Sequence, residues 1–184
     1  MLNAHEVLNG YANGVFPMAE PSEDNVIYWY EPELRGIILP SEFNCPKNLR
    51  KEYNRGKFQY FINKDFESTM RSCANREETW ISEEIIEVYS GLKSMGYGFS
   101  FEVWQGDVMV GGLYGIAMGK VFFGESMFHS VTNASKLALV FLMEWMVKFG
   151  FQILDCQFIT EHLKQFGAKE ISQADYLEIL KKNI

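Results

Sequence analysis

Apolar positions recur at helical spacing in some stretches of this chain and alternate at strand spacing in others. Leu2 to Leu8 reads as a short helix that Gly10 and Gly14 terminate, and Pro17 and Pro21 mark an irregular stretch after it. Val26–Tyr30 and Gly36–Leu39 read as strands either side of a Glu31-Pro32-Glu33 turn. Lys47–Tyr53 is a helix after Pro46, Phe58–Ile62 a strand, and Asp65–Cys73 a helix with acids in its first turn, where the dipole favours them. Ser82 is an N-cap for a helix carrying Ile85, Ile86, Tyr89 and Leu92 on one face and stopping at Gly96.

A three-strand meander follows, Ser100–Trp104, Val108–Ala117 and Val121–Phe128, with turn residues at Gln105-Gly106-Asp107 and Met118-Gly119-Lys120. Asn133 then caps a long helix with Leu137, Val140, Phe141, Trp145 and Met146 on its apolar side and Gly150 at its end. Ile153–Asp155 is a buried strand, Thr160–Phe166 a short helix closed by Gly167, and Ser172 with Asp175 opens the last helix. Antiparallel strands, a long helix, then a strand and a helix form an α+β layer arrangement compatible with a GNAT-class acyltransferase fold. The first thirty or so residues form a small cap on it.

Composition narrows this little. The 184 residues, 47% hydrophobic and 15% aromatic, suffice for one domain, or one with a small appendage. A net charge of −7 argues against a general nucleic-acid coat, although it permits a local basic patch. Cys45, Cys73 and Cys156 are odd in number and far apart, as expected of reduced thiols in a cytosolic protein. His5, His129 and His162 lack metal-ligand spacing. No apolar run approaches ~18 residues, so no membrane span is expected. No secretory leader is read at the N-terminus either.

The candidate chemistry lies between Gly111 and Gln157. Acids and amides at the ends of buried strands are costly to desolvate without partners. Asp155 and Gln157, two apart on a strand, share a face, with Cys156 on the other. They are either part of a site or a strand end that holds a loop. Strict alternation puts Phe123, Glu125 and Met127 on one face; a bulge near Gly124 would instead let Phe122 and Met127 serve one pocket. Glu125 is otherwise an ion-pair partner and Met127 otherwise core. Lys47, Lys51 and Arg55, with Arg50 and Lys57, make a basic face that either holds phosphates or is simply solvated. Trp80 either stacks on a nucleobase or packs in the core. There is no P-loop and no local signature of a Ser/His/Asp or Cys/His set.

Taken together, these residues resemble the leucyl/phenylalanyl-tRNA–protein transferases. The resemblance covers nearly the whole chain. It runs through Gly10-Tyr11-Ala12-Asn13-Gly14-Val15-Phe16-Pro17-Met18, Trp29-Tyr30-Glu31-Pro32-Glu33-Leu34-Arg35, Asn48-Leu49-Arg50-Lys51 and Arg76-Glu77-Glu78-Thr79-Trp80-Ile81. It continues through Gly111-Gly112-Leu113-Tyr114-Gly115, Gly124-Glu125-Ser126-Met127-Phe128, Asn133-Ala134-Ser135-Lys136, Asp155-Cys156-Gln157 and His162-Leu163 with Gly167-Ala168.

The resemblance implies a small N-terminal domain over residues 1–33 and a GNAT-like catalytic domain over 34–184. It implies transfer of Leu, Phe or Met from aminoacyl-tRNA to the α-amine of a protein beginning with Arg or Lys, feeding the N-degron pathway in the cytoplasm without metal or organic cofactor. It makes Asp155 and Gln157 the catalytic pair, Asp155 orienting the Gln157 amide and relaying a proton. It makes Glu125 the residue that engages the aminoacyl moiety. It assigns Leu113, Phe122, Met127, Leu139, Leu142 and Leu154 to the aminoacyl pocket, and Trp80, Tyr30, Lys47, Arg50, Lys51 and Arg76 to the tRNA and its terminal adenosine. Tyr30 stands where the family has Trp, Ser130 where it has Arg, and Gln173 where it has Pro-Arg. Two other readings compete. An acyl-CoA N-acyltransferase would need a pyrophosphate loop, but Gly112 stands where that loop has Arg or Gln. A non-catalytic RNA-binding module would have no use for Glu125, Asp155 and Gln157.

Overall fold

The computed structural model describes residues 1–184. Helix α1 (Ala4–Ala12) leads into strands β1 (Phe16–Glu20) and β2 (Val26–Tyr30). Then come β3 (Leu34–Ile38), α2 (Lys47–Asn54), β4 (Gln59–Ile62), α3 (Phe66–Ala74) and α4 (Glu83–Ser94). The meander is β5 (Gly98–Gln105), β6 (Val108–Met118) and β7 (Val121–His129). Helix α5 (Ala134–Phe149), β8 (Ile153–Gln157), α6 (Glu161–Lys164), β9 (Lys169–Ser172) and α7 (Gln173–Asn183) complete the chain. The class is the expected α+β, GNAT-like one.

The main sheet has seven strands in the order β4-β5-β6-β7-β8-β3-β9, and β1 and β2 form a separate antiparallel ribbon. Every pair in the main sheet is antiparallel except β7 with β8. That parallel pair is joined by α5, as a parallel crossover requires. The sheet separates two cores. One lies under α1, α3, α4 and α7 and contains Tyr11, Ile85, Tyr89, Tyr114, Phe123 and Tyr176. The other lies under α5 and α2 and contains Phe101, Leu113, Phe122, Leu139, Leu142 and Leu154.

Most local signals act as expected. Ser82 Oγ accepts from the Ile85 N–H and Ser172 Oγ from the Asp175 N–H. Gly150 ends α5 in the left-handed region at φ 71°. Other elements differ. Helix α1 runs past Gly10 to Ala12, started by a capping box in which Asn3 and Glu6 satisfy each other's backbone N–H groups. Residues 16–20, expected to be irregular, form β1; in a two-stranded ribbon Pro17 needs no N–H partner on its open side. Strand β3 is not a hairpin partner of β2, because its apolar residues pair with β8 inside the main sheet. Asn133 precedes α5 at φ 68° without capping it, and its side-chain amide donates to Glu52 on α2 at 2.8 Å.

Two register shifts open the sheet. Between β6 and β7, Tyr114 pairs Ser126 while Gly115 pairs Gly124, so Glu125 is the extra residue of a bulge. Between β3 and β8, Gly36 pairs Gln157 while Ile37 pairs Asp155, so Cys156 is extra. The parallel ladder of β7 and β8 ends at Phe123 opposite Asp155, the last level before both bulges. Beyond it the two strands part.

Candidate active site

The gap between the parting strands is a cavity of about 340 Å³. Its apolar side is built from Leu113, Met127, Leu139, Leu142 and Leu154; its polar side from Glu125, Ser126, Asp155, Gln157 and the Tyr114 ring. Arg76, Trp80, Met18 and Phe158 line the mouth. The Glu125 bulge turns Met127 to the α5 face, opposite Leu113, while Glu125 stays on the Phe123 face with Tyr11 and Tyr89. Acid and apolar floor therefore face each other across one opening.

Asp155 is completely buried. Arg35, equally buried on β3, grips it with Nε to Oδ1 at 2.9 Å and Nη2 to Oδ2 at 2.7 Å. The Tyr176 hydroxyl donates to Oδ2 at 2.6 Å, and the backbone N–H of Gln157 donates to Oδ1 at 2.8 Å. Each carboxylate oxygen thus has two donors, and its acceptor capacity is filled. Arg35 also donates to the Gly14 carbonyl at 2.9 Å and lies between the Phe16 and Tyr176 rings, 4.7 and 4.4 Å from their centroids. The expected link from Asp155 to the Gln157 amide is replaced by one to its backbone. Gln157 adopts φ 62°, a left-handed conformation that a non-glycine residue keeps only when its surroundings hold it. That conformation carries its side-chain amide to within 3.4 Å of both Glu125 oxygens.

Glu125 keeps a partly exposed edge toward the cavity, and its carboxylate accepts from the Tyr11 hydroxyl. Tyr11 and Tyr89 hydroxyls lie 2.6 Å apart. Burial pushes the Glu125 carboxyl up to about 7, with the nearby Asp155 charge adding to the rise and the Tyr11 hydrogen bond opposing it. Burial and the Glu125 charge push both tyrosines well above the usual phenol range, so they remain protonated donors.

The other expected site residues divide. Trp80 and Arg76 stand at the mouth, Arg76 held by Nε to the Cys73 carbonyl at 2.7 Å and by Nη2 to Ser126 Oγ at 2.6 Å. Phe122 is not in the lining. It is buried one layer below, against Phe101 and Trp145, because its strand position faces the core under α5 before the bulge. Tyr30 stacks on Phe16, ring centroids 6.1 Å apart, outside the cavity. Lys47 and Lys51 are exposed on α2, and Arg50 pairs with Glu144 of α5; none of the three lines the cavity. Ser130 Oγ donates to the Val110 carbonyl and Gln173 Nε2 to Glu31, and neither residue lines the cavity.

Arg35, Tyr11, Tyr89 and Tyr176 carry the polar side of the site, yet sequence pattern did not single them out. One signal existed for Arg35: a charge inside the apolar run Leu34-Arg35-Gly36-Ile37-Ile38 demands a buried partner. No group of three or more His, Cys, Asp or Glu side chains is placed to hold a metal, and no helix is long and apolar enough to cross a membrane.

A GNAT-like sheet, parted at its parallel pair around an apolar cavity with an acid-amide wall, defines an acyltransferase. Comparison with known proteins specifies it. The leucyl/phenylalanyl-tRNA protein transferase family model matches residues 37–181, and the model of that family's N-terminal domain matches residues 1–33. Leucyl/phenylalanyl-tRNA–protein transferases of Paramagnetospirillum magneticum and Maricaulis maris are each 50% identical to the chain. The first alignment covers 97% of this chain and 88% of the relative, the second 96% and 84%. Among solved structures, that of FemX shares the fold at a TM-score of 0.56 and 11% identity, over 95% of this chain and 70% of that one. The chain belongs to the leucyl/phenylalanyl-tRNA–protein transferase family.

Proposed function

We propose that this enzyme moves Leu, Phe or Met from aminoacyl-tRNA to the α-amine of proteins beginning with Arg or Lys, marking them for the N-degron pathway in the cytoplasm. The observation that carries the reading is the cavity itself. An unbranched apolar side chain lies among Leu113, Met127, Leu139, Leu142 and Leu154, which leaves its ester carbonyl at the Glu125–Gln157 wall. Trp80 stacks on the terminal adenine, Arg76 meets the nearby phosphate, and Lys47 and Lys51 hold the acceptor stem from the exposed face of α2.

The chemistry asks little beyond placement. The ester is already activated, an α-amine of pKa ~7.7–8.0 is partly neutral near pH 7, and placement alone contributes ~7–11 kcal/mol in favourable cases. Gln157, fixed through its backbone by Asp155, presents its amide to the incoming nitrogen. No cofactor is needed, because the tRNA supplies the acyl group. The test is incubation with labelled Phe-tRNA and a peptide beginning with Arg, then with acetyl-CoA and the same peptide. Label should reach the peptide from the tRNA alone, and a peptide beginning with Glu should receive none. Acetylation without aminoacyl transfer would refute the reading.

A further inference from the structure

Any amine that attacks an ester must shed a proton, and the site holds two carboxylates. Their surroundings are unequal. Asp155 borders the cavity, but both its oxygens are filled by Arg35, Tyr176 and the Gln157 N–H, and its side chain is wholly buried in a bidentate ion pair. Its oxygens leave no acceptor site open to an incoming amine N–H. Glu125 has one close donor, Tyr11. Its remaining contacts, Gln157 Nε2 at 3.4 Å and the Tyr89 hydroxyl at 3.5 Å, lie at the outer limit of hydrogen bonding.

The hydroxyl protons sharpen the contrast. Tyr11 has one proton and gives it to Glu125, so across the 2.6 Å contact it must accept the proton of Tyr89. Tyr89 then has none left for Glu125. Glu125 is therefore a carboxylate on the cavity wall, steadied from behind by a two-tyrosine chain, with lone pairs free on the cavity side.

We propose that Glu125, backed by Tyr11 and Tyr89, is the catalytic proton acceptor of the transfer, and that Asp155 is a positioning residue that shapes Gln157. This rests on the aminoacyl-transfer reading and deepens it. The nitrogen lone pair forms the new C–N bond and the ester C–O bond breaks. The proton lost by nitrogen passes to Glu125 and from there to the departing ribose oxygen, which regenerates the carboxylate. Groups facing Glu125 from the surrounding elements are Tyr11 of α1, Tyr89 of α4, Tyr114 of β6, and Asp155 with its partner Arg35. Its carboxyl, raised by burial to about 7, is close to the ~7.7–8.0 of an α-amine, which makes the proton exchange nearly balanced.

The test is single-turnover transfer from Phe-tRNA to a peptide beginning with Arg, measured from about pH 5.5 to about pH 9 to span both ionisations. Glu125→Gln should slow transfer by ~10²–10⁴-fold. Tyr11→Phe should slow transfer near neutral pH and move the rate midpoint to higher pH, because the carboxylate loses the hydrogen bond that favours its charged form. Tyr176→Phe removes a hydroxyl that touches Asp155 and Arg35 but not Glu125, and should leave the midpoint in place. The two phenylalanine variants keep the test decisive if Glu125→Gln fails to fold. Glu125→Gln as fast as the wild type overturns the assignment alone. So does a midpoint that follows Tyr176→Phe instead of Tyr11→Phe. A wild-type enzyme that transfers nothing overturns the aminoacyl-transfer reading, and the assignment with it.

Discussion

Asp155→Ala is the obvious variant for a test of this site, and the structure predicts that its main effect is on folding. Removal of the carboxylate leaves the Arg35 guanidinium fully buried, with the Gly14 carbonyl, a long 3.4 Å contact to the Tyr176 hydroxyl and two aromatic faces as its remaining partners. It also leaves the Tyr176 hydroxyl proton and the Gln157 N–H without their acceptor. Breaking one side of a buried ion pair costs ~3–5 kcal/mol. At ~2–4 °C per kcal/mol for a chain of this size, Tm should fall by roughly 6–20 °C. Replacing both partners, Arg35→Met with Asp155→Leu, removes the stranded charge and should cost less than Asp155→Ala alone. That non-additivity separates an ion pair from two independent contacts. Thermal unfolding of the two variants against the wild type is the assay. An Asp155→Ala protein that melts with the wild type would refute the argument, because it would show that Arg35 does not depend on this carboxylate. Turnover of Asp155→Ala is informative only below its own melting transition.

Two further outcomes are expected. The folded-state carboxyl of Glu125 is raised from the ordinary 4.5 to about 7, so its contribution to stability is complete below pH 4.5 and lost as pH rises through about 7. The wild type should lose about 3 kcal/mol relative to Glu125→Gln across that window, read as the difference between their urea-unfolding curves, and parallel curves would contradict it. At Gly115 an added Cβ would lie 2.1 Å from the Phe123 carbonyl, whereas at Gly91 on α4 it would meet nothing within 4 Å. Gly115→Ala should therefore cost about 2 kcal/mol or more, while Gly91→Ala should stabilise by up to ~1 kcal/mol; equal melting temperatures would refute this.

Helices and the meander were legible because their signals are local. Ser82, Ser172 and Gly150 act within one turn of where they stand, and β5 to β7 are bounded by their own turns. Strand β1 was missed because its partner, β2, lies beyond an intervening 3-10 turn, and Pro17 hid the pattern. Glu125, Gln157 and Asp155 stood out because polar groups interrupt apolar strands there. Their partners did not. The hydrogen bonds of Arg35, Tyr11, Tyr89 and Tyr176 join residues 21 to 141 positions apart, and separations of that size leave no periodic trace. Tyr11 and Tyr176 also read locally as ordinary apolar faces of α1 and α7.

The bulges decide what the motif residues can do. With unbroken alternation, Glu125 and Met127 would share a face, and β7 and β8 would continue their ladder through the space that is now the cavity. One extra residue in each strand, Glu125 and Cys156, arrives at the level where the ladder stops. The first sends Met127 to join Leu113 under α5 while the acid stays with the tyrosines. The second lets Asp155 remain locked to Arg35 while Gln157 swings across to Glu125. Spacing of polar residues along the chain is therefore a poor guide to which carboxylate meets the substrate. Both acids border the cavity, but Asp155, at the better-paired position, has its carboxylate buried and filled, whereas Glu125, displaced by its bulge, keeps an exposed edge.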